Sequence, residues 1–229
     1  MNRYLRKGFL NLISFLVMAM LFILFEAIIW GIEDSVIVSA LLLGIYYISP
    51  AYIANGFAAV FGKKIRSPPI DFHKKFIDGE PIFGEGKTIA GFIGGFLIST
   101  ILGTIIFTLI NYSTIYSILE FYNLTEHGKI LSLISFSKEM SPLIAAIIGL
   151  GALLGDLAGA FIKRRFKLKR GTFVPILDQI DFVAGALAFS SLFLLPDLLI
   201  LATIFFVTPA IHTISNIVGY LLKVKKEPW

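Results

Sequence analysis

The stretch PLIAAIIGLGALLGDLAGAFIKRR, residues 142–165, decides the fold class of this chain. Its apolar run exceeds the roughly 18 residues that mark a membrane-spanning helix, and three bases follow it directly. The whole chain agrees, because 57% of its 229 residues are hydrophobic, 15% are charged and the mean hydropathy is +0.86. Soluble domains carry about 25% charged residues, so this composition excludes a soluble globule, a coiled coil and a disordered chain. It predicts an all-α, polytopic membrane protein.

Six apolar runs are predicted to cross the bilayer. They cover about 9–32, 36–61, 88–111, 142–162, 182–195 and 198–222. Pro50 is predicted to bend the second run, and the fifth is short, with about 14 apolar residues. The first run lacks a convincing cleavage site, so we expect a retained helix rather than a signal peptide. The predicted organisation is an additional N-terminal transmembrane helix, residues 1–34, and a five-helix core, residues 35–229.

The basic residues favour one orientation of these spans. Eighteen of the 20 Lys and Arg residues fall at the two termini and in the loops 62–87 and 163–181. The opposite side carries only Lys129 and Lys138, in a predicted outer loop of about residues 112–140. Because Lys and Arg accumulate in cytoplasmic loops, six spans with both termini cytoplasmic are predicted. The protein is therefore expected in the cell membrane, with the loops 62–87 and 163–181 in the cytoplasm.

Three aspartates lie near the predicted cytoplasmic face. Asp156 precedes Lys163 by two helical turns, about 10 Å, so it lies below the membrane surface, where a carboxylate needs a partner. Asp178 and Asp181 are i and i+3, so a helix places them on one face, where they repel each other unless a cation lies between them. Carboxylate oxygens suit Mg²⁺. A favourable helix dipole explains Asp178 alone, but it explains Asp181 less well.

A basic segment lies between these acids and begins with Lys163, Arg164 and Arg165. Arginine binds phosphate through a fork of two hydrogen bonds, and lysine binds it as a point charge. Carboxylates for a cation and bases for phosphates are the components of a metal-assisted phosphoryl- or nucleotidyl-transfer site. The bases alone could instead bind anionic headgroups.

A glycine-rich turn precedes the third span. The sequence Gly84-Glu85-Gly86-Lys87-Thr88 resembles the end of a Walker A loop, but Pro81 stands where that motif needs glycine. Free backbone N–H groups at a helix N-terminus still attract anions, so a triphosphate is a reasonable ligand.

Polar residues within other spans give weaker signals. Asn55 is slightly favoured as a residue that lines the site. His212 and Asn216, at i and i+4, are interpreted as a structural hydrogen-bonded pair, because no third metal ligand is near in sequence.

These constellations, in this order, resemble the archaeal CDP-archaeol synthases, relatives of the phosphatidate cytidylyltransferases. The matching blocks are Pro50-Ala51-Tyr52-Ile53-Ala54-Asn55-Gly56, Pro69-Ile70-Asp71-Phe72, Phe76-Ile77-Asp78-Gly79, Gly84-Glu85-Gly86-Lys87-Thr88, Gly155-Asp156-Leu157-Ala158-Gly159, Phe161-Ile162-Lys163-Arg164-Arg165 and Leu177-Asp178-Gln179-Ile180-Asp181-Phe182. His212, Asn216 and the terminal Pro228-Trp229 fit as well. The departures are the additional N-terminal span and the long outer loop.

The resemblance implies a reaction. CTP and 2,3-bis-O-(geranylgeranyl)-sn-glycerol 1-phosphate would give the CDP-activated lipid and pyrophosphate. The implied partners are CTP, a prenylated glycerol phosphate and the bilayer, with no nucleic acid. A homo-oligomer is left open. The implied cofactor is Mg²⁺, and a second cation is also left open.

The resemblance also implies roles for individual residues. Metal binding falls to Asp156, Asp178 and Asp181, which are catalytic together with Lys163 and Arg164. Substrate binding falls to Asn55, Asp71, Asp78, Gly79, Gly84, Gly86, Lys87, Thr88, Lys163, Arg164 and Arg165.

Two other functions compete with this one. An ion or lipid transporter would explain acids within kinked spans, but transporters often show inverted repeats and midplane sites, and none is visible here. A CDP-alcohol phosphotransferase needs a D-G-x-x-A-R spacing, and Asp78-Gly79 is not followed by Ala-Arg.

Overall fold

The computed structural model of the protein describes residues 34–121, 128–169, 172, 174 and 177–223. Within these residues it contains seven α-helices, one 3-10 helix and no strand. The helices are α1 (Asp34–Lys64), α2 (Ile89–Leu109), α3 (Tyr112–Phe121), α4 (Gly128–Ser135), α5 (Pro142–Arg165), α6 (Leu177–Ser190) and α7 (Leu198–Leu221), and the 3-10 helix is Phe136–Glu139. The predicted N-terminal span and the terminal Pro228-Trp229 lie outside the described residues.

Four of the described helices are long and apolar enough to cross a membrane: α1, α2, α5 and α7. They correspond to the second, third, fourth and sixth predicted spans. The helix α1 continues through Pro50, so the proline does not end it. A side chain on Gly103 of α2 would meet the Pro50 ring, which shows how closely the two helices approach at that level.

Two expectations need correction. The fifth predicted span is the 14-residue α6, which ends at Ser190 rather than Leu195. At 1.5 Å per residue it rises about 21 Å, less than the roughly 30 Å hydrocarbon core. The predicted outer loop contains the short helices α3 and α4, because its apolar residues face the bundle at helical spacing.

The bundle is organised around α1 and α5. The helix α1 packs against α2, α5 and α7, and α5 packs against α2 and α6. Small residues make these approaches close: a methyl group on Gly95 of α2 would lie 2.7 Å from the carbonyl oxygen of Ala54 on α1. Such contacts are the usual basis of helix packing in lipid, where side-chain burial from water no longer drives association.

A second set of contacts closes one end of the bundle. Ile130, Leu133 and Ile134 of α4 are buried. Tyr47 of α1 is buried too, and its ring meets that of Phe136 in the 3-10 helix. The Tyr47 hydroxyl donates a hydrogen bond of 2.7 Å to Ser190 Oγ on α6. We call α3, α4 and the 3-10 helix the outer cap. It lies at the end of the bundle opposite the basic ends of α1 and α5.

Candidate active site

A cavity of about 220 Å³ opens near the basic ends of α1 and α5. The residues around it come from α1, the loop before α2, α2 itself, α5, α6 and α7. They are Asn55, Ala58, Ala59, Ile70, Gly86, Lys87, Thr88, Gly91, Phe92, Leu153, Asp156, Leu157, Lys163, Asp178, Asp181, His212 and Asn216. All three aspartates singled out in the sequence therefore face one cavity.

Two of these aspartates form ion pairs with lysines. Lys87 Nζ lies 2.5 Å from Asp156 Oδ2, and both side chains are largely buried. Lys163 pairs with Asp178 in the same way and joins the end of α5 to the start of α6. Charged groups at this depth need partners, and these pairs supply them. Both lysines of the cavity lining are thus kept in place by carboxylates.

The third carboxylate, Asp181, rests on the backbone of α5. A methyl group on Gly159 would lie 2.0 Å from Asp181 Oδ2, so only glycine leaves room for this carboxylate. Asp181 is also within electrostatic range of Asp156, Lys87 and Lys163. Gly155 makes the adjoining backbone contact with α6. Gly155 and Gly159 therefore let α6 approach α5 closely and so position Asp181.

The loop before α2 is shaped by Asp71, which is 5% exposed and does not line the cavity. Its carboxylate accepts hydrogen bonds from the N–H groups of His73, Phe83 and Gly84. Burial raises the pKa of Asp71, but the N–H groups of Gly84, Phe83 and His73 outweigh burial and hold that pKa below its usual value. Asp71 therefore organises the turn that leads to Lys87.

Thr88 begins α2 as its N-cap. Its hydroxyl accepts a hydrogen bond from the N–H of Gly91, so it satisfies one donor of the helix end. Gly84 adopts a φ of +93°, a conformation that favours glycine. The turn thus delivers Gly86 and Lys87 to the cavity edge, while Thr88 both lines the cavity and caps the helix.

Five predicted substrate-binding residues besides Asp71 are not among the residues that line the cavity. Asp78, Gly79, Gly84, Arg164 and Arg165 do not line it. Arg165 binds Asp78 and the carbonyl oxygen of Pro81. Asn55, Gly86, Lys87, Thr88 and Lys163 do line it.

Two polar side chains at the cavity were not assigned to the site from sequence. His212 and Asn216 of α7 are buried, and the Asn216 amide lies 3.3 Å from His212 Nδ1. The His212 ring also packs against Phe182 of α6, with centroids 5.8 Å apart. The expected hydrogen-bonded pair of His212 and Asn216 is present, and both residues also line the cavity. Their shared helical face was the available signal, and only packing reveals which way that face turns.

The donor set fits a cation that arrives with a phosphate. Among the described residues, no three acidic or histidine side chains are placed to hold one metal ion together. Mg²⁺ commonly takes one or two carboxylates and completes its shell with waters and substrate phosphates. Asp156 and Asp181, which face the same cavity, offer such a pair of hard oxygen ligands.

The sequence profile of the CarS-like CDP-archaeol synthase family matches residues 37–229. Curated CDP-archaeol synthases are similar over most of their length. The protein from Pyrobaculum islandicum is 41% identical, with 79% of this chain and 93% of the relative covered. The protein from Methanocaldococcus jannaschii is 36% identical, with coverage of 82% and 97%. The protein from Thermofilum pendens is 33% identical, with coverage of 80% and 78%.

A solved structure gives the same answer for the fold. It is described as an intramembrane enzyme for archaeal membrane lipid biosynthesis, and it is 32% identical to this chain. The superposition covers 76% of this chain and 92% of that structure, with a TM-score of 0.53. Sequence profile, curated relatives and fold agree with the cavity of acids and bases, and the chain belongs to the CDP-archaeol synthase family.

Proposed function

We propose that this protein transfers the cytidylyl group of CTP to an archaeal prenylated glycerol phosphate, 2,3-bis-O-(geranylgeranyl)-sn-glycerol 1-phosphate. One observation carries the proposal: a single cavity in a membrane protein gathers Asp156, Asp178 and Asp181 with Lys87 and Lys163. Two polyanionic substrates need both signs of charge to react. Membership of the CDP-archaeol synthase family supports the identity of the nucleotide and of the lipid.

The reaction is a substitution at phosphorus. An oxygen of the lipid phosphate attacks the α-phosphorus of CTP, and a new P–O bond forms. The bond between that phosphorus and the α,β-bridging oxygen breaks, and pyrophosphate leaves with the electron pair. The lipid phosphate is already an anion, so the protein needs no dedicated general base. Its task is to orient the two phosphates and to stabilise the charge on the leaving group.

The ion pairs at the cavity suggest how the residues divide this work. Lys87 and Lys163 exchange their carboxylate partners for phosphate oxygens of the substrates. Asp156 and Asp178 are thereby released: Asp156 with Asp181 would hold Mg²⁺, and Asp178, at the same cavity, would offer a ligand to a second cation. When bound, Mg²⁺ supplies neutralisation of phosphate charge. Asn55, His212 and Asn216 line the remaining wall and offer hydrogen bonds to substrate atoms.

The topology that completes this proposal has six membrane crossings and both termini in the cytoplasm. The predicted N-terminal span contributes one crossing, and α6 with the residues that follow it contributes the fifth. The cavity then faces the cytoplasm, where CTP is available, and the prenyl chains extend between helices into the bilayer. A transporter gains no comparable support, because the acids gather with lysines at one cavity near the basic ends of α1 and α5.

The direct test supplies purified protein with labelled CTP, Mg²⁺ and the unsaturated archaeal lipid phosphate, and measures labelled CDP-lipid. The wild type is expected to form product, and Asp181→Asn to form it at least 100-fold more slowly, about 2.7 kcal/mol of transition-state stabilisation. Asp197→Asn is the matched control, since Asp197 caps α7 away from the cavity, and should remain within twofold of wild type. No CDP-lipid with any lipid phosphate would refute the proposal.

A further inference from the structure

Arg165, the last residue of α5, makes three contacts with the loop before α2 and one with Phe161 of its own helix. Its Nη1 lies 2.5 Å from Asp78 Oδ1, and its Nη2 lies 2.5 Å from the carbonyl oxygen of Pro81. Its guanidinium carbon lies 4.7 Å from the ring centroids of both Phe76 and Phe161. These rings meet edge to face, 5.2 Å apart. Arginine is suited to such a place, because it binds through its edge and stacks through its faces.

The guanidinium is already engaged by the loop. Each Nη atom has given one of its two N–H groups to an acceptor there, and the side chain is only 19% exposed, so it is poorly placed to offer a phosphate a fork of two N–H groups. Nε is buried and has no hydrogen-bond partner among the described residues, so it is shielded from a ligand in solution. Arg165 is also absent from the cavity lining, unlike Lys163 two residues earlier.

The segment that Arg165 holds leads directly to the cavity. Residues 74–82 fold into a short hairpin: Phe76 donates to the carbonyl oxygen of Glu80, and Ile82 donates to that of Lys74. Gly79 makes the turn with a φ of +81°. Asp71 fixes the next residues, and Lys87 follows at the cavity edge. The hairpin therefore has one attachment at Arg165 and one at Asp71.

We propose that Arg165 is a positioning residue, which together with Asp78, Phe76 and Phe161 fixes the hairpin 74–82 to the end of α5 so that Lys87 is presented to the nucleotide. This inference rests on the proposed cytidylyltransferase function for its kinetic consequences. It differs from the role expected from the sequence, in which Arg165 binds a phosphate. We call the four residues the α5 clamp.

The two roles separate in a set of variants: Arg165→Lys, Arg165→Gln, Asp78→Asn and the double variant of Arg165→Gln with Asp78→Asn. Arg165→Lys keeps the charge but loses the fork and the stacking. If Arg165 is a positioning residue, Arg165→Lys should raise the KM for CTP about as much as Arg165→Gln does, roughly tenfold, and should change kcat less than threefold. Asp78→Asn should do the same, and the double variant should be no worse than either single variant.

A measurement independent of activity accompanies the kinetics. Trypsin cleavage after the exposed Lys74 and Lys75, followed by mass spectrometry, should accelerate about tenfold in every clamp variant. Arg66→Gln, at an exposed arginine of the same loop, should match wild type in cleavage and in KM. Should a variant of Arg165 fail to fold, Asp78→Asn carries the test.

The opposite pattern would overturn the clamp. In that pattern the KM for CTP stays near normal in Arg165→Lys and Asp78→Asn and rises tenfold only in Arg165→Gln. Trypsin cleavage is unchanged in all three. These results would identify Arg165 as a phosphate ligand. Failure of the proposed function looks different. The wild type would then make no CDP-lipid, while the cleavage rates would still decide whether Arg165 and Asp78 hold the loop.

Discussion

The carboxylate of Asp71 shows how a single buried residue shapes the loop before α2. Its two oxygens accept three backbone hydrogen bonds, two of them from residues that lie 12 and 13 positions later in the chain. An amide at this position has one acceptor oxygen, so it leaves at least one N–H group without its partner. Asp71 therefore fixes the path of the chain toward Lys87, and its expected role in substrate binding stays a prediction.

Acid should open this loop only at low pH. The pKa of Asp71 is lowered in the folded protein, so its stabilisation is complete above the ordinary aspartate pKa of about 3.9 and is lost as pH falls through the lower folded value. Amide exchange at Phe83 and Gly84, measured by mass spectrometry in detergent, should stay slow at pH 5 and accelerate only as the pH falls below the ordinary aspartate pKa of about 3.9 and through the lower folded value, after correction for the intrinsic exchange rate.

Asp71→Asn should make the same amides exchange faster at pH 7, by the equivalent of about 1–3 kcal/mol for a buried hydrogen-bonding group left unpaired. Glu85→Gln, on the exposed part of the loop, is the matched control and should leave them protected. Equal protection in Asp71→Asn and wild type would show that the loop does not depend on this carboxylate.

At the scale of the helices, the seam between α5 and α6 determines the site. Gly151, Gly155 and Gly159 recur every four residues on α5, and α6 brings Asp181 and Gly185 against them. At Gly151 and Gly155 backbone meets backbone, and at Gly159 the Asp181 side chain rests on the backbone of α5, so the depth of Asp181 is fixed by the absence of side chains opposite it. This is the small-residue packing that lipid-embedded helices commonly use.

Gly159→Ala should therefore reduce cytidylyltransferase activity without touching a substrate. The added methyl group would lie 2.0 Å from Asp181 Oδ2, so the carboxylate or the helix must shift. We expect at least a tenfold fall in kcat/KM and a lower melting temperature in detergent. Gly56→Ala is the control: apart from its own helical neighbours, no atom of the described residues lies within 4 Å of the added carbon, and helix propensity favours alanine. Equal loss in both variants would contradict the seam.

The helices were predictable to different degrees, for physical reasons. The long apolar runs of α1, α2, α5 and α7 exceed what any water-soluble element needs, so composition alone identifies them. The short α3 and α4 carry only 10 and 8 residues, and their apolar faces pair with a bundle that the sequence does not display. The early end of α6 at Ser190 reflects a turn that apolar content does not reveal.

At the scale of the whole molecule, the cavity joins residues that lie more than 150 positions apart. The sequence could place Asp156, Asp178 and Asp181 near one membrane face, because charge patterning fixes depth. It could not show that Lys87 reaches Asp156, or that His212 turns inward, since both depend on the rotation of packed helices. Nor could the sequence show that Lys163 lines the cavity while Arg165 binds the loop before α2, because neighbouring bases in a sequence do not reveal which acceptor each one contacts.

The proposed topology makes a prediction that the composition allows to be tested cleanly. The chain has no cysteine, so a single engineered one is the only thiol present. Lys75→Cys should react with a membrane-impermeant maleimide only in inverted vesicles. Ser132→Cys, in the outer cap, should react only in right-side-out vesicles, because α2 separates the two positions. Labelling of both variants from one side would contradict the orientation.

The glycines of the α5–α6 seam also affect how natural and laboratory variation in this protein is interpreted. A methyl group on Gly151, Gly155 or Gly185 would meet backbone atoms at 2.7 Å or less, although none of these residues lines the cavity. In a saturation mutagenesis scan scored by growth, they should be as intolerant as the aspartates. The positions that do not tolerate substitution would therefore include both the seam and the cavity. A parallel measurement of protein abundance would distinguish variants that disturb helix packing from variants that disturb catalysis.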